Sequence, residues 1–523
     1  MSLDWSALFT YRRFLLWAFF TSFGNVQMGY AYTVFGQLLA FPSFLEQFGY
    51  LYNGEYVIPA AHITAFSAAQ TIGSCTGSVI AGFLLDRTGR RHIILLGCAI
   101  SCAGIALQIT ALSWQRYFGG ILVMMCGNGT LITLSPTFVG ELSHPTMRGF
   151  TLCFYNFSIV LGQSLAAFIT PGIIHITGRW QYRSILTVQY FFIIILFIGY
   201  WFMPESAYWL LLHDRPEEAR KSLSRLHGNE ALADSEFERL QGEVTKAKQL
   251  QALKGGKKDR MAFLRCLSGT NKKRTLAAVA TTVGQQLCGA SVVLGYVSYF
   301  FNNVHIEDVF TVTAILFAFK LIGTSSAFVF VEKYGRRGLI LPGIAVLAVT
   351  LLVMGIAGCF TSTAAGWVMV VTVFIWSIVY QSTIGAAGLA FAQEVGKPSL
   401  RAQLSMIQTV CQSLMVLVFA VVIPFMLNPD QGNLGGKVGF LYFALCCIVW
   451  STLYFMLPET KGLSFSDIDL LYARGIAPRR FKQYVREHRA EMDAEHSLDK
   501  TPTLSRRPSD VEKKDADALE LEV

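Results

Sequence analysis

The residues of this chain that could do chemistry come in matched sets. Asp86, Arg87, Arg90 and Arg91 stand in the run Gly82 to Arg91, and Glu332, Arg336 and Arg337 stand around Gly335. Glu141 with Arg148 is echoed by Glu394 with Arg401, and Pro204-Glu205-Ser206 by Pro458-Glu459-Thr460. The partners in each set lie about 250 residues apart, and such a steady offset marks an internally duplicated chain. A carboxylate at a helix end beside arginines of the next loop forms charge-assisted hydrogen bonds. Such a cluster can hold one end of a molecule shut and release it. The plainer reading is that the arginines only fix which way the loops face. Single polar residues stand apart from these clusters in apolar surroundings: Gln285, Gln286, Ser291, Asn156, Gln381, Gln412, His62 and Lys320. Amides and hydroxyls make several directed hydrogen bonds, and in apolar surroundings they are costly unless paired. No phosphate loop, metal-ligand cluster or nucleophile–base pair occurs, so enzyme chemistry, a metal and a cofactor are not expected.

The elements that carry these residues follow from composition. Of 523 residues, 53% are hydrophobic and only 15% charged, against about a quarter charged in a soluble domain. The apolar residues come in blocks near 14–40, 60–85, 92–113, 116–140, 149–171 and 184–203, then near 274–301, 308–331, 338–360, 366–392, 402–427 and 436–457. Each reaches the roughly 20 residues that cross a bilayer, and in lipid the backbone must bond to itself, so each is read as a helix. The expected fold is an all-α membrane protein, twelve transmembrane helices in two pseudo-symmetric six-helix bundles. Residues 1–13 form a short cytoplasmic start, 14–203 the first bundle, 204–273 a linker, 274–457 the second bundle and 458–523 a largely disordered tail. The first block lacks a cleavage signature and is read as a permanent span. The linker contains helical-looking runs, Arg215 to Leu226 and Ser235 to Leu253, and the basic cluster Lys254, Lys257, Lys258 and Arg260.

Charge sets orientation. The short loops on one side carry Arg87, Arg90, Arg91, Arg148, Lys333, Arg336, Arg337, Lys397 and Arg401, and those on the other only Arg116, Arg179, Arg183 and Lys437. The positive-inside rule makes both termini and the linker cytoplasmic. The net charge of +9 is accounted for by these loops, and nucleic-acid binding is not expected. Ten of the eleven cysteines lie in apolar blocks, where cysteine behaves as a small hydrophobe, so no structural disulfide is expected. Arg506-Arg507-Pro508-Ser509 has the form of a basophilic kinase site, though a chance match in a polar tail is the simpler reading.

The motifs GFLLDRTGRR, ELSHPTMRG, PESAYWL, GQQLCGAS, VEKYGRR, AQEVGKPSLRA and PETKG together resemble the sugar porter family of the major facilitator superfamily, over nearly all of residues 14–481. Pro424, Asn428-Pro429, Gly435-Gly436-Lys437 and Gly439-Phe440, with Asp467-Ile468-Asp469 and Arg479 to Phe481, are more similar still to fungal maltose (α-glucoside) permeases. The resemblance implies a monomeric carrier in the plasma membrane that moves a sugar, or a related polyhydroxylated molecule, by alternating access. It places sugar-facing polar groups at Gln285, Gln286, Asn156, Gln381 and Gln412. Ser291 stands where the family usually has asparagine, and Gly295-Tyr296 where it often has two tyrosines. Lys320 falls at a sugar-binding asparagine of glucose facilitators. For each single residue, a helix–helix hydrogen bond is the competing reading.

The departures from the family bear on coupling. Proton-coupled members carry an aspartate in the first span after Gly-Tyr or Gly-Phe; here the run is Gly29-Tyr30-Ala31. Its usual fourth-span arginine partner aligns with Ile121. No Asp or Glu lies deep in any span, which leaves His62 and Lys320 as the candidate proton carriers. Lys320 lies twelve residues before Glu332, about 18 Å up a helix, where a lysine costs roughly 3 kcal/mol. It is read as a donor to a sugar, a partner for an anionic substrate, a structural donor replacing the missing arginine, or a side chain snorkelling to water. Gly385-Ala386 replaces the family's Gly-Pro, which predicts a straighter tenth span. The leading expectation is carbohydrate transport with weak or absent proton coupling. The alternatives are a sugar:proton symporter, a carrier of an anionic polyhydroxylated metabolite and a non-transporting nutrient sensor.

Overall fold

Lipid-length apolar runs become helices throughout the computed structural model, which describes residues 12–142, 148–253, 265–303, 308–360, 362–396, 400–461, 463 and 465–488. Among these, ten helical stretches are long and apolar enough to cross a membrane. The other two apolar blocks are helical but broken. The first block is α1 (Arg12–Thr21) and α2 (Phe23–Leu38). They part at Ser22, where the Thr21 and Ser22 hydroxyls both turn back to the Ala18 carbonyl, at 3.0 and 2.8 Å, a bonding mode that bends helices. Next come α3 (Pro42–Phe48) and a two-stranded hairpin, β1 (Tyr50–Tyr52) and β2 (Glu55–Val57), paired antiparallel with Leu51 opposite Tyr56. The rest of the first bundle is α4 (Ala60–Thr88), α5 (Arg90–Ile109), α6 (Trp114–Leu142), α7 (Arg148–Ile173), α8 (Trp180–Thr187) and α9 (Gln189–Phe202).

Three helices on the basic side follow: α10 (Ala207–Leu212), α11 (Pro216–His227) and α12 (Glu230–Leu253). Helix α11 is well signalled, with Pro216 at its start, Glu217 and Glu218 in its first turn, and Arg225 and His227 in its last, matching the helix dipole. The second bundle opens with a second broken span: α13 (Gly269–Leu287), α14 (Ala290–Gly295) and α15 (Val297–Asn303). It continues with α16 (Val309–Tyr334), α17 (Arg336–Ala357), α18 (Thr363–Tyr380), α19 (Ala386–Val395), α20 (Arg401–Leu427), α21 (Val438–Met456) and the short α22 (Phe465–Ala473). The tenth span, expected to be straighter without its proline, is not one continuous α-helix. Between α18 and α19 lies a π-helical turn, Gln381–Gly385. Losing a proline removes one cause of a kink, but an extra residue in the ladder is another.

The halves pack with two-fold logic. α7 lies on α16 and α4 on α20, so the fifth span meets the eighth and the second meets the eleventh. Small residues permit close crossings: a Cβ on Gly29 would come 2.1 Å from the Ile159 carbonyl oxygen, and one on Gly162 would come 2.0 Å from that of Val26. Where no side chain intervenes, helix backbones can approach in this way. Phe83, Phe191, Trp201, Phe202, Ile448 and Phe455 point outward, as lipid-facing side chains do.

Candidate functional site

Each half builds the same polar knot at its basic end. In the first half, Arg90 donates from Nε to both Glu141 oxygens at 3.1 Å and from Nη2 to one of them, and its Nη1 reaches the Leu85 carbonyl at 2.9 Å. Ser206 Oγ donates to the other Glu141 oxygen at 2.5 Å. Glu205 accepts from the Arg90 and Arg91 backbone N–H groups at 2.7 and 3.1 Å, so its carboxylate caps α5 where unpaired N–H groups favour an anion. In the second half, Arg336 Nη2 donates to Glu394 at 2.5 Å and Thr460 Oγ1 to its other oxygen at 2.7 Å. Glu459 accepts from the Arg336 and Gly338 N–H groups at 3.0 and 3.3 Å. The hinge glycines match too: Gly89 and Gly335 have φ of +88° and +80°, a region that favours glycine, and a Cβ at either would press into the capping carboxylate. Arg91 and Arg337 bond to carbonyls of the last span of their own half, at Tyr200 and Tyr454.

The sequence reading has such a cluster holding this end shut and releasing when it opens. In this structure each described ion pair lies within one half, within the linker, or, as Arg274–Asp469, between the second half and the tail. Arg87 is exposed. Asp86, Arg148, Glu332 and Arg401 have helical backbones, but their side chains lie outside the described part, as do Lys397, the Lys254–Arg260 cluster, Glu307 and Ser509.

The halves meet instead from the midplane to the opposite end. There Ser67 Oγ is hydrogen-bonded to Tyr296 Oη, and Phe35 packs edge-on against the same ring at 6.4 Å. Phe41 and Phe310 meet at 5.1 Å. Thr33 and Gly36 face Gly295 and Ser298, and a Cβ on Gly36 would come 2.0 Å from the Gly295 carbonyl oxygen. Nearer the midplane Ser164 Oγ reaches the Phe317 carbonyl at 3.2 Å, and Lys320 Nζ donates to Gln163 Oε1. The end away from the arginines is therefore shut.

The predicted polar residues converge on the second broken span. Gln285 and Gln286 end α13, and Gly289 at φ +94° breaks the helix before Ser291. Gln286 Oε1 accepts from Ser291 Oγ at 2.7 Å. Gln285 Nε2 donates to the carbonyls of Ile384 and Gly385 at 2.9 and 3.3 Å, the last two residues of the π turn that Gln381 begins. A broken helix and a π turn, bonded to each other, are the irregular backbone that substrate sites at mid-membrane use. Tyr296 sits in the closed seam, while Asn156 and Gln412 are half-buried on α7 and α20. Lys320 is 1% exposed, with its ammonium over the Phe317 ring at 4.9 Å. It does not snorkel, and its described partner is a neutral amide. His62 is half-buried and stacked on Trp114 at 4.4 Å.

Four residues escape the sequence reading. Gln163, 7% exposed, is the partner of Lys320. Gln27 donates to Gln189 at 3.2 Å, and Gln37 accepts from Thr170 at 2.7 Å. Gln408 is buried with its Nε2 unpartnered. The available signal is the glutamine itself inside an apolar span.

Two bundles, a broken span at mid-membrane and a seam shut at one end define a membrane carrier of the major facilitator type. Residues 17–472 match the family model described as "Sugar (and other) transporter", and the chain belongs to that family of transporters; it is not an enzyme. It is 29% identical over 493 residues to the general alpha-glucoside permease of Saccharomyces cerevisiae, covering 92% of this chain and 78% of that one. It is 26% identical to the maltose permease MAL31 of the same yeast, covering 91% and 78%. It is 25% identical to the major facilitator-type transporter ecdD of Aspergillus rugulosus, covering 87% and 86%. Among solved structures, the inward-open xylose transporter XylE from E. coli superposes with a TM-score of 0.71 at 20% identity, over 88% of this chain and 99% of that one. A XylE structure bound to 6-bromo-6-deoxy-D-glucose gives 0.67 at 19% identity, over 88% and 100%. These likenesses support the fold.

Proposed function

We propose that the protein is a plasma-membrane carrier that takes up a neutral carbohydrate, a hexose or an α-glucoside, by alternating access and with weak or no proton coupling. The observation that carries this is the Gln285–π turn bond: an amide at a helix break, bonded to carbonyls that a sugar hydroxyl can take over. The similarity to alpha-glucoside and maltose permeases supports the substrate class. The two bundles, 14–203 and 274–457, are the rocking units, with 204–273 as their linker and 458–523 as a tail. The paired charge knots stiffen the basic end of each bundle; when the opposite side opens, these ends meet and the Glu–Arg sets can exchange partners across the seam.

The test is uptake of a labelled sugar panel in cells lacking their own carriers. Gln285→Ala and Gln286→Ala are each expected to lower affinity a few-fold, as loss of one neutral hydrogen bond costs about 0.5–1.5 kcal/mol. Unchanged uptake in the double variant would put the site elsewhere. A second reading, an anionic polyhydroxylated substrate, has one observation in its favour: buried Lys320 is bonded to a neutral group, and a substrate carboxylate could pair with it. Sugar acids in the same panel decide it.

The knots are assigned to the cytoplasmic face by the positive-inside rule. Reporter tags within 205–273 and beside Asn53 should therefore read opposite sides of the membrane. Both on one side would reject the topology.

A further inference from the structure

The Asn428-Pro429 stretch, which the sequence singles out without giving it a task, sits at the centre of the shut end. It lies between α20 and α21, in the second half. Its loop is stiff: Gln431 and Asn433 donate their N–H groups to the Asn428 carbonyl at 3.1 and 3.2 Å, and Leu434 N–H reaches the Met426 carbonyl at 2.9 Å. Opposite stands the β1–β2 hairpin of the first half, whose two-residue turn, Asn53-Gly54, has positive φ at both positions, as tight hairpins require. The hairpin is anchored from behind by α3, where Phe44 and Phe48 pack against Tyr117 and Tyr182 at 5.2–6.3 Å between ring centres.

Between these two stiff arms run directed bonds. Asn428 is 0% exposed. Its Oδ1 accepts from Tyr299 Oη of its own half, and its Nδ2 donates to the Ile58 carbonyl, at the foot of the hairpin, at 3.1 Å. At the rim, Tyr50 Oη donates to Asp430 Oδ2 at 2.6 Å. That bond raises the Tyr50 phenol above its ordinary pKa. One amide thus uses its acceptor within its own half and its donor across the seam.

We propose that Asn428 and Asp430 form a latch on the Tyr50–Ile58 arm, a pair of positioning residues that set how often the empty carrier opens outward. They touch no substrate. They act by stabilising the outer-shut state alone, because both cross-half bonds must break when the bundles part. The proposal rests on the alternating-access reading above.

The test reads outward opening directly and needs no substrate. Gly295 lines the closed seam, and a Cβ there meets nothing within 4 Å, so Gly295→Cys is a tolerated reporter. The full-length protein in cells is exposed to a membrane-impermeant maleimide, and labelling is counted above that of the chain without the added cysteine. Asn428→Asp keeps an acceptor for Tyr299 but cannot donate to Ile58. It is expected to speed labelling of Cys at 295 by about two- to tenfold, the shift in open-to-shut ratio that one lost hydrogen bond gives. Tyr50→Phe, on an exposed residue that folding tolerates, is expected to speed it by a smaller factor, and Asp430→Asn to behave like Tyr50→Phe or more weakly. Unchanged labelling in both Asn428→Asp and Tyr50→Phe overturns the latch. If Asn428→Asp does not reach the surface, an unchanged Tyr50→Phe rate overturns it alone. Should the chain carry no sugar at all, labelling still reports on the latch, so the two readings fail separately.

Discussion

Arg90→Ala is expected to cripple the protein, and Arg336→Ala to do so less, although the two residues hold equivalent places. Arg90 and Glu141 have side chains only 5% and 13% exposed, against 18% and 27% for Arg336 and Glu394. Removing Arg90 leaves the Glu141 carboxylate nearly buried, with the Ser206 hydroxyl as its remaining described donor. Stranding one member of a buried pair costs about 3–5 kcal/mol, against a total stability of roughly 5–15 kcal/mol. Surface amounts and uptake should then fall at least tenfold. In the second half, water reaches the stranded carboxylate and the loss should be about half as large or less. Arg90→Lys should fall between, because an ammonium keeps the charge but loses the fork that meets both oxygens. The measurement is the thermal midpoint of the detergent-solubilised protein, beside surface abundance. Equal, small shifts for Arg90→Ala and Arg336→Ala would show that the Glu141 knot is solvated and only marks topology.

That comparison also shows what the sequence reveals. The duplicated Glu–Arg spacing is visible in the chain because the same local geometry, a glycine at positive φ followed by a capped helix, is built twice. The spans are visible because lipid tolerates little besides a continuous apolar helix. What stays hidden is the partnership between distant residues. Gln163 looks like any other span glutamine until α7 is seen against α16 with Lys320 opposite. The break at Gly289 is hidden because a glycine in a membrane helix is as often a packing site as a hinge: Gly29 and Gly162 are the former. The π turn at 381–385 leaves no trace at Gly385-Ala386, and the side chain that bonds to its carbonyls, Gln285, comes from another helix. The hairpin at Asn53-Gly54 stays hidden too, because exposed aromatic residues rather than a clean alternation flank its turn. Its partner loop lies almost four hundred residues away.

Coupling is where the family pattern and this chain part. A substrate-linked proton needs a group whose protonation differs between the two states of the carrier. Ala31 is 3% exposed and Ile121 1%, so the two family positions are filled by well-packed apolar side chains, and no carboxylate stands deep in any span. His62 is stacked on Trp114 near one end of α4, away from the Gln285–π turn site, and Lys320 is tied to Gln163. The expected result is transport down the sugar gradient only. A proton entering down 100 mV of membrane potential releases about 2.3 kcal/mol, enough to concentrate a sugar roughly fifty-fold. A carrier without that link brings a non-metabolised analogue only to parity. The decisive measurement follows labelled analogue to its plateau in weakly buffered medium while external pH is recorded, with and without an uncoupler. Parity, flat pH and indifference to the uncoupler are expected. Accumulation well above parity, with stoichiometric alkalinisation that the uncoupler abolishes, would show that a proton does ride with the sugar. Loss of that alkalinisation in His62→Ala or in Lys320→Ala, with uptake down the gradient retained, would then identify which side chain carries it.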